Sequence, residues 1–369
     1  MPPDSSSPST PPERHRRAGL IRLLRVAGIG LALVALPLLI AWAVLAIWFS
    51  NLPWAWARGL VALVWLGGVA VVLWQVRPWP KTIAAFAACW AAVLTWYLLI
   101  PPSNDRQWRP EVARAARPSI SGDLLTVNNL RNFSYRSETD FDARWETRTY
   151  DLRRLRSMDI MFVYWGSPAI AHVMVSFVFD APSPDAAPDR LCVSIEVRKE
   201  ISEDYDALKG FFRQFELAYI FADERDLVGL RTHHRNEQVY LYQTRAALPF
   251  VRALLQNYVA TAAQLADKPA WYNALTSNCF TNVIELSRIS VLAPASILQY
   301  LDYRIVLAGY GDRLLYAKRS LDPSIPFDDL RTRSLINPRA TASPIDEGFS
   351  DRIRQGLPRP PQRAKPGDP

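Results

Sequence analysis

The stretch Asp159-Ile-Met-Phe-Val-Tyr-Trp-Gly-Ser-Pro-Ala-Ile-Ala-His-Val-Met-Val-Ser-Phe-Val-Phe-Asp180 decides the fold class of the region around it. From 173 to 179 the odd positions Val173, Val175, Phe177 and Phe179 are apolar, while His172, Ser176 and Asp180 are even. Successive side chains on a strand point to opposite faces, so this alternation predicts a strand that buries one face and carries His172 on the open one. After the turn-forming residues 181–188, Leu191, Val193, Ile195 and Val197 alternate with Cys192, Ser194, Glu196 and Arg198. The two runs predict an antiparallel hairpin. With its centre near Asp185, the partner of His172 falls between Ser194 and Arg198, on the same face. A carboxylate beside an imidazole fixes its tautomer and balances the imidazolium charge, which ranks Glu196 first, Ser194 second and Arg198 third as the group orienting His172.

A second stretch, Trp271-Tyr-Asn-Ala-Leu-Thr-Ser-Asn-Cys-Phe-Thr-Asn-Val-Ile-Glu-Leu-Ser-Arg288, reads as the entry to a helix. Ser277 suits an N-cap, and Phe280, Val283 and Ile284 have the spacing of a packed helical face. Cys279 then sits in the first turn, where free N–H groups and the positive end of the helix dipole favour thiolate over thiol. A nearby histidine completes a nucleophilic pair. A cysteine in a helix is more often a small buried hydrophobe, and the capped first turn is what sets Cys279 apart. Cys89 lies in an apolar run and reads as packing, and Cys192 shares the His172 face. Adjacent His233 and His234 read as a solvated loop, since neighbours on a strand point apart. No zinc, P-loop or dinucleotide motif is present, so neither a metal nor a cofactor is expected.

Working outward, Tyr205–Phe221 and Pro249–Ala266 carry helical apolar spacing, and Val239–Tyr242 and Tyr303–Leu307 read as short strands. The mixed charges Arg198, Glu200, Arg213, Glu216, Asp223 and Arg225 suggest an ionic network in preference to a headgroup site.

The first hundred residues are a different material. No acidic residue lies between Glu13 and Asp105, and nine of the 13 tryptophans fall at or before Trp96. Residues 1–100 hold eight basic and two acidic side chains, most of the net charge of +8. The remainder is nearly neutral and offers no net field to draw a nucleic acid. Residues 1–18, rich in Pro and Ser, read as a disordered tail. Three apolar runs, 26–49, 59–76 and 82–100, are each long enough to span a bilayer at about 1.5 Å per residue. Lys and Arg cluster before the first run and after the second, which predicts a cytoplasmic amino terminus and a domain delivered outside. In a two-membrane bacterium that is a multi-pass protein of the inner membrane with a periplasmic domain. Residues 102–119 read as a linker, 120–337 as the globular domain, and 338–369 as a Pro-rich tail.

The order of a histidine on a strand, a polar residue on the next strand and a later Asn-Cys opening a helix resembles the circularly permuted papain-like arrangement of the NlpC/P60 type. More specifically, Leu130-Arg-Asn-Phe-Ser-Tyr-Arg136, Trp165-Gly-Ser-Pro168, Ala171-His172, Ser194-Ile-Glu-Val-Arg-Lys-Glu200, Asp223-Glu-Arg-Asp226 and Ser277-Asn-Cys-Phe-Thr-Asn282 resemble the Lnb N-terminal periplasmic domain family. The resemblance covers most of 125–337. That family takes its name from a bacterial lipoprotein N-acyltransferase, and its motif is commonly Asn-Cys-Thr-Thr. Here Phe280 follows the cysteine and the hydroxyl moves to Thr281.

The expectation is an α+β protein in which three apolar helices precede a papain-like domain with an antiparallel sheet and a Cys-bearing helix. Cys279 acts as nucleophile, His172 as base and Glu196 as orienter, with Ser194, Arg198, Asn278 and Trp165 in support. Three functions remain open: an acyltransferase working on phospholipid or lipoprotein at the membrane, a cell-wall amidase or peptidase, and a non-catalytic envelope binding protein.

Overall fold

The computed structural model of the protein describes residues 12–206, 208–290 and 302–360, which fall into two compact units divided at Pro101. In the first unit, α1 (Pro12–Trp48), α2 (Ala55–Gln75) and α3 (Trp79–Leu99) contain three spans long and apolar enough to cross a membrane, Val26–Trp48, Ala55–Gln75 and Trp79–Leu99, with mean hydropathies of 2.6, 1.9 and 1.8. They are apolar around their whole circumference, as helices are that face lipid. Inside the unit, the Trp42 ring packs 5.2 Å from Trp90 and 5.3 Å from Tyr97. The Trp65 and Trp90 indole N–H groups donate to the carbonyls of Cys89 and Leu39, partners that lipid cannot supply. Helix α1 starts earlier than expected: residues 12–18, read as loose tail, are helical, and 1–11 lie outside the described residues.

The second unit is built on strands β1 (Arg117–Ser121), β2 (Leu124–Arg131), β3 (Ser134–Tyr135), β4 (Phe141–Asp142), β5 (Trp145–Asp151), β6 (Leu155–Tyr164), β7 (Ala171–Phe179), β8 (Arg190–Arg198), β9 (Glu216–Asp223) and β10 (Gln238–Gln243). Eight of them form one sheet in the order β1-β2-β9-β8-β7-β6-β10, with β5 beside β2, while β3 and β4 pair separately. All contacts in the large sheet are antiparallel except β2 with β9. The fold is therefore α+β, with a mixed and mostly antiparallel sheet.

The predicted hairpin is β7–β8. Its register pairs Met174 with Ser194 and Ser176 with Cys192, and two residues further on that register sets Glu196 opposite His172. The expected open face does not exist: every residue of β7 except Val178 is buried. The odd face packs under α5 (Leu248–Asp267) and α6 (Cys279–Ser290), joining Val173, Val175 and Phe177 to Leu254, Tyr258 and Phe280. The even face, with Met174 and Cys192, is covered by Trp108 and Val112 from one end of the unit and Phe349, Ile353 and Leu357 from the other.

Those covering residues correct the domain limits. Residues 102–119 are no linker: Trp108 is only 8% exposed and pairs with Glu200 in an isolated bridge, and β1 starts at Arg117. Residues 338–360 are no tail either. Phe349 and Ile353 are fully buried, and Arg354, also buried, donates to Asp159 Oδ2 at 2.9 Å and to both carboxylate oxygens of Glu224 at 2.7 and 2.6 Å. Surrounding Pro and Arg hid these apolar residues, which are too widely spaced to form a run.

Two further expectations fail. Tyr205–Phe221 is not a helix: it gives a short 3-10 turn at Lys209–Phe211 and then β9, whose residues are buried on both faces and so read as a continuous apolar run. Tyr303–Val306 is a short helix instead of a strand, capped by the Asp302 carboxylate, which accepts from Arg304 N–H.

Removing Arg354 strands two buried carboxylates, so Arg354→Ala should destabilise the second unit by about 3–5 kcal/mol. Urea unfolding of the detergent-solubilised protein, followed by tryptophan fluorescence, measures this. An unchanged midpoint would mean that the carboxy-terminal segment is not part of the core.

Candidate active site

Cys279 is the first residue of α6, and the cap that starts this helix is Asn278, not Ser277. Asn278 Oδ1 accepts from the N–H groups of Phe280 and Thr281 at 2.9 Å each, while Asn278 N–H donates to Thr281 Oγ1 at 2.8 Å. This reciprocal arrangement satisfies orphan donors of the first turn, and it uses the hydroxyl at position 281. Ser277 instead accepts from the Asn282 side chain. Phe280 is fully buried, edge-on to Phe162 with centroids 5.8 Å apart. Its anchoring fixes the start of the helix against the sheet and brings Cys279 Sγ to 3.8 Å from the Ala171 carbonyl.

His172, the next residue on β7, is buried, and the Cys279 side chain is near enough to help raise its pKa. Its Nε2 lies 2.6 Å from Ser194 Oγ and 3.2 Å from Glu196 Oε1. Ser194 Oγ donates to that same Glu196 oxygen at 2.6 Å, and Arg231 Nη2 donates to it at 2.9 Å. One carboxylate oxygen thus collects an imidazole, a hydroxyl and a guanidinium.

The charges follow from these contacts. Burial alone would push the His172 imidazole down, but the Glu196 carboxylate and then the Cys279 side chain outweigh it and raise the pKa to about 9. Burial would likewise push the Glu196 carboxyl up, whereas His172, Arg231 and the Ser194 hydroxyl hold it well below the usual carboxylate range. Both residues are therefore charged at neutral pH. Cys192, by contrast, is completely buried away from this group, and burial drives its thiol pKa upward.

Arg231 is the member that sequence reasoning missed. Residues 231–235 are not a solvated loop. Leu230–His234 is a π-helical turn continuing from α4 (Glu224–Gly229), and within it Arg231 and Thr232 are buried. The signal lay in Leu227, four residues earlier on the same helical face, whose carbonyl accepts from Arg231 Nη1. Alongside, Arg131 makes a bidentate pair with Asp226, at 3.0 Å from Nε and 2.7 Å from Nη2.

Arg198 is not in the group. Its guanidinium stacks 4.3 Å from the Trp108 ring and donates to the carbonyls of Val112 and Ala113 and to Asn104 Oδ1. It clamps segment 104–113 to the sheet and plays no part in orienting His172. The charges read as a network are paired in part, Arg106 with Glu200 and Glu216, and Asp223 with Arg148 and Arg225.

Cys279, His172 and Glu196 open onto a cleft of about 370 Å³, which Asn278 and Trp165 also line. One wall is held by a contact that only glycine permits: Gly309 N–H donates to the Ala169 carbonyl at 3.1 Å, and a Cβ at Gly309 would lie 2.2 Å from the Pro168 oxygen. That contact ties the Trp165–Ile170 turn to Leu307 and Ala308. Among the described residues no cluster of His, Cys, Asp and Glu is placed to hold a metal ion.

No curated protein and no solved structure matches the chain. Residues 141–309 match the family model described as the Lnb N-terminal periplasmic domain, a span that includes Cys279, His172, Ser194, Glu196 and Arg231. The match within the second unit and the three helices of the first, long and apolar enough to cross a membrane, together fit a membrane protein with a periplasmic domain similar to the Lnb N-terminal family.

Proposed function

We propose that the second unit is a thiol-dependent acyltransferase of permuted papain-like design, working on a lipid or lipoprotein at the membrane surface. The observation that carries this reading is that Cys279 and His172 line one cleft, with His172 held by Ser194 and Glu196. A cysteine beside a held imidazolium is the pairing needed for covalent acyl chemistry.

In the first half-reaction Cys279 Sγ attacks the ester carbonyl. The C–S bond forms, the C–O bond breaks, and the His172 imidazolium gives its proton to the leaving alkoxide. In the second, an amine attacks the thioester, the C–N bond forms and the C–S bond breaks, and the amine proton passes to His172. Glu196 holds the ring and balances its charge, and Arg231 keeps Glu196 ionised. The positive end of the α6 dipole at Cys279 suits a developing oxyanion.

Radiolabelled phospholipid and an amine acceptor, incubated with the detergent-solubilised protein, test this. Transfer should occur, and Cys279→Ser and His172→Ala should each remove it with little further loss in the double variant, because the two groups act as one unit. Glu196→Gln should lower the rate without unfolding the protein. Release of peptide fragments from muropeptides, with phospholipid untouched, would replace this reading with the amidase.

The same proposal places the amino terminus in the cytoplasm and the domain in the periplasm of an inner-membrane protein, supported by the Lys and Arg that flank the apolar helices. Alkaline phosphatase fused after Pro369 should then be active. An inactive fusion contradicts the topology.

A further inference from the structure

The cleft has two chemically different walls. Trp165, Ile170, Tyr205 and Leu307 form an apolar one, and they remain 43%, 50%, 47% and 40% exposed. Four Lys and Arg side chains face the other. Three of those four have carboxylate partners: Arg131 with Asp226, Arg231 with Glu196 and Arg235 with Glu138. Lys199 has none, since its ammonium makes neither an ion pair nor a side-chain hydrogen bond among the described residues.

We propose that Lys199 is the anion-binding residue of this cleft and that the substrate placed before Cys279 carries a phosphate group. The inference rests on the acyltransferase reading and deepens it: the phosphate of a lipid headgroup would meet Lys199 while its apolar part lies along the opposite wall.

Lys199 directly follows β8, three residues beyond Glu196, and its carbonyl accepts from Arg109 N–H at 3.0 Å, which fixes its backbone at the cleft wall. Its surroundings leave a positive charge uncompensated. Burial disfavours the ammonium most, Arg109 and Arg235 add to that, and Glu111 and Glu196 oppose it without prevailing, so the pKa is lowered. Glu237 also faces the cleft, but it lies toward Arg231, 3.7 Å from its Nε. An unpaired ammonium on the cleft wall is a donor awaiting an acceptor-rich anion, and a phosphate offers several oxygens.

The test separates binding from catalysis. Full-length Cys279→Ala protein in an uncharged detergent is titrated by calorimetry with inorganic phosphate, sn-glycerol 3-phosphate and glycerol. Both phosphates should bind and glycerol should not. Adding Lys199→Gln should weaken phosphate binding by about tenfold or more, a loss of at least about 1.4 kcal/mol, while Lys199→Arg retains it. Tighter binding of glycerol 3-phosphate than of inorganic phosphate assigns the site to a headgroup, and equal binding assigns it to the free ion. Lys199-dependent binding, together with no acyl transfer by the protein that retains Cys279, would leave the anion site standing and remove the acyltransferase reading. Undiminished binding in a Lys199→Gln protein with an unchanged thermal midpoint, or no phosphate binding before that change, overturns the proposal.

Discussion

A polar side chain on a strand buried on both faces must find its hydrogen bonds inside the protein, because an unpaired one costs about 1–3 kcal/mol or more. The β7–β8 hairpin is such a place, and it carries His172, Ser176, Ser194 and Glu196 on one face. Pairing these four residues shapes much of what surrounds them. Ser176 donates to Glu224, which receives Arg354 from the carboxy-terminal segment. Ser194 and His172 converge on Glu196, which receives Arg231. The α4 region supplies both partners, Glu224 and Arg231, so the same short stretch closes the structural cluster and the one at the cleft.

The opposite face of the hairpin is apolar and serves a different end. It seats α5 and α6, and Phe280 sets the depth at which α6 meets the sheet. Cys279 belongs to this apolar side and His172 to the polar one. The two meet only because β7 begins there: the Ala171 carbonyl faces the thiol, and the next residue is the histidine. The cleft lies where the two layers come together at the start of a strand.

Much of this was legible in the sequence. Period-two alternation exposed the hairpin, and its turn length brought His172 opposite Glu196. The apolar spacing after Cys279 placed that residue in the first turn of a helix. Other features were hidden for identifiable reasons. Alternation alone does not tell a solvated face from one covered by distant segments, so the covered face of β7 and the folded residues 102–119 and 338–360 escaped notice. The pairing of Glu196 with Arg231 joins residues 35 apart, a distance that local periodicity does not reach. Arg198 shares the face of Glu196 by register, yet Trp108 draws its guanidinium elsewhere, a tertiary contact with no local signature. In each case long-range packing decided the outcome.

The central claim is that Glu196, held ionised by His172 and Arg231, keeps His172 an imidazolium beside Cys279. A group whose pKa is raised on folding contributes stability that is fully present below its unfolded value, here 6.5, and is lost as pH rises through the folded value. The most direct measurement is the His172 ring carbon shift against pH, by NMR on the histidine-labelled, detergent-solubilised protein, assigned with His172→Ala. The account predicts a midpoint near 9, which falls when Glu196→Gln removes the carboxylate. A midpoint at or below 6.5, unmoved by that substitution, would contradict it.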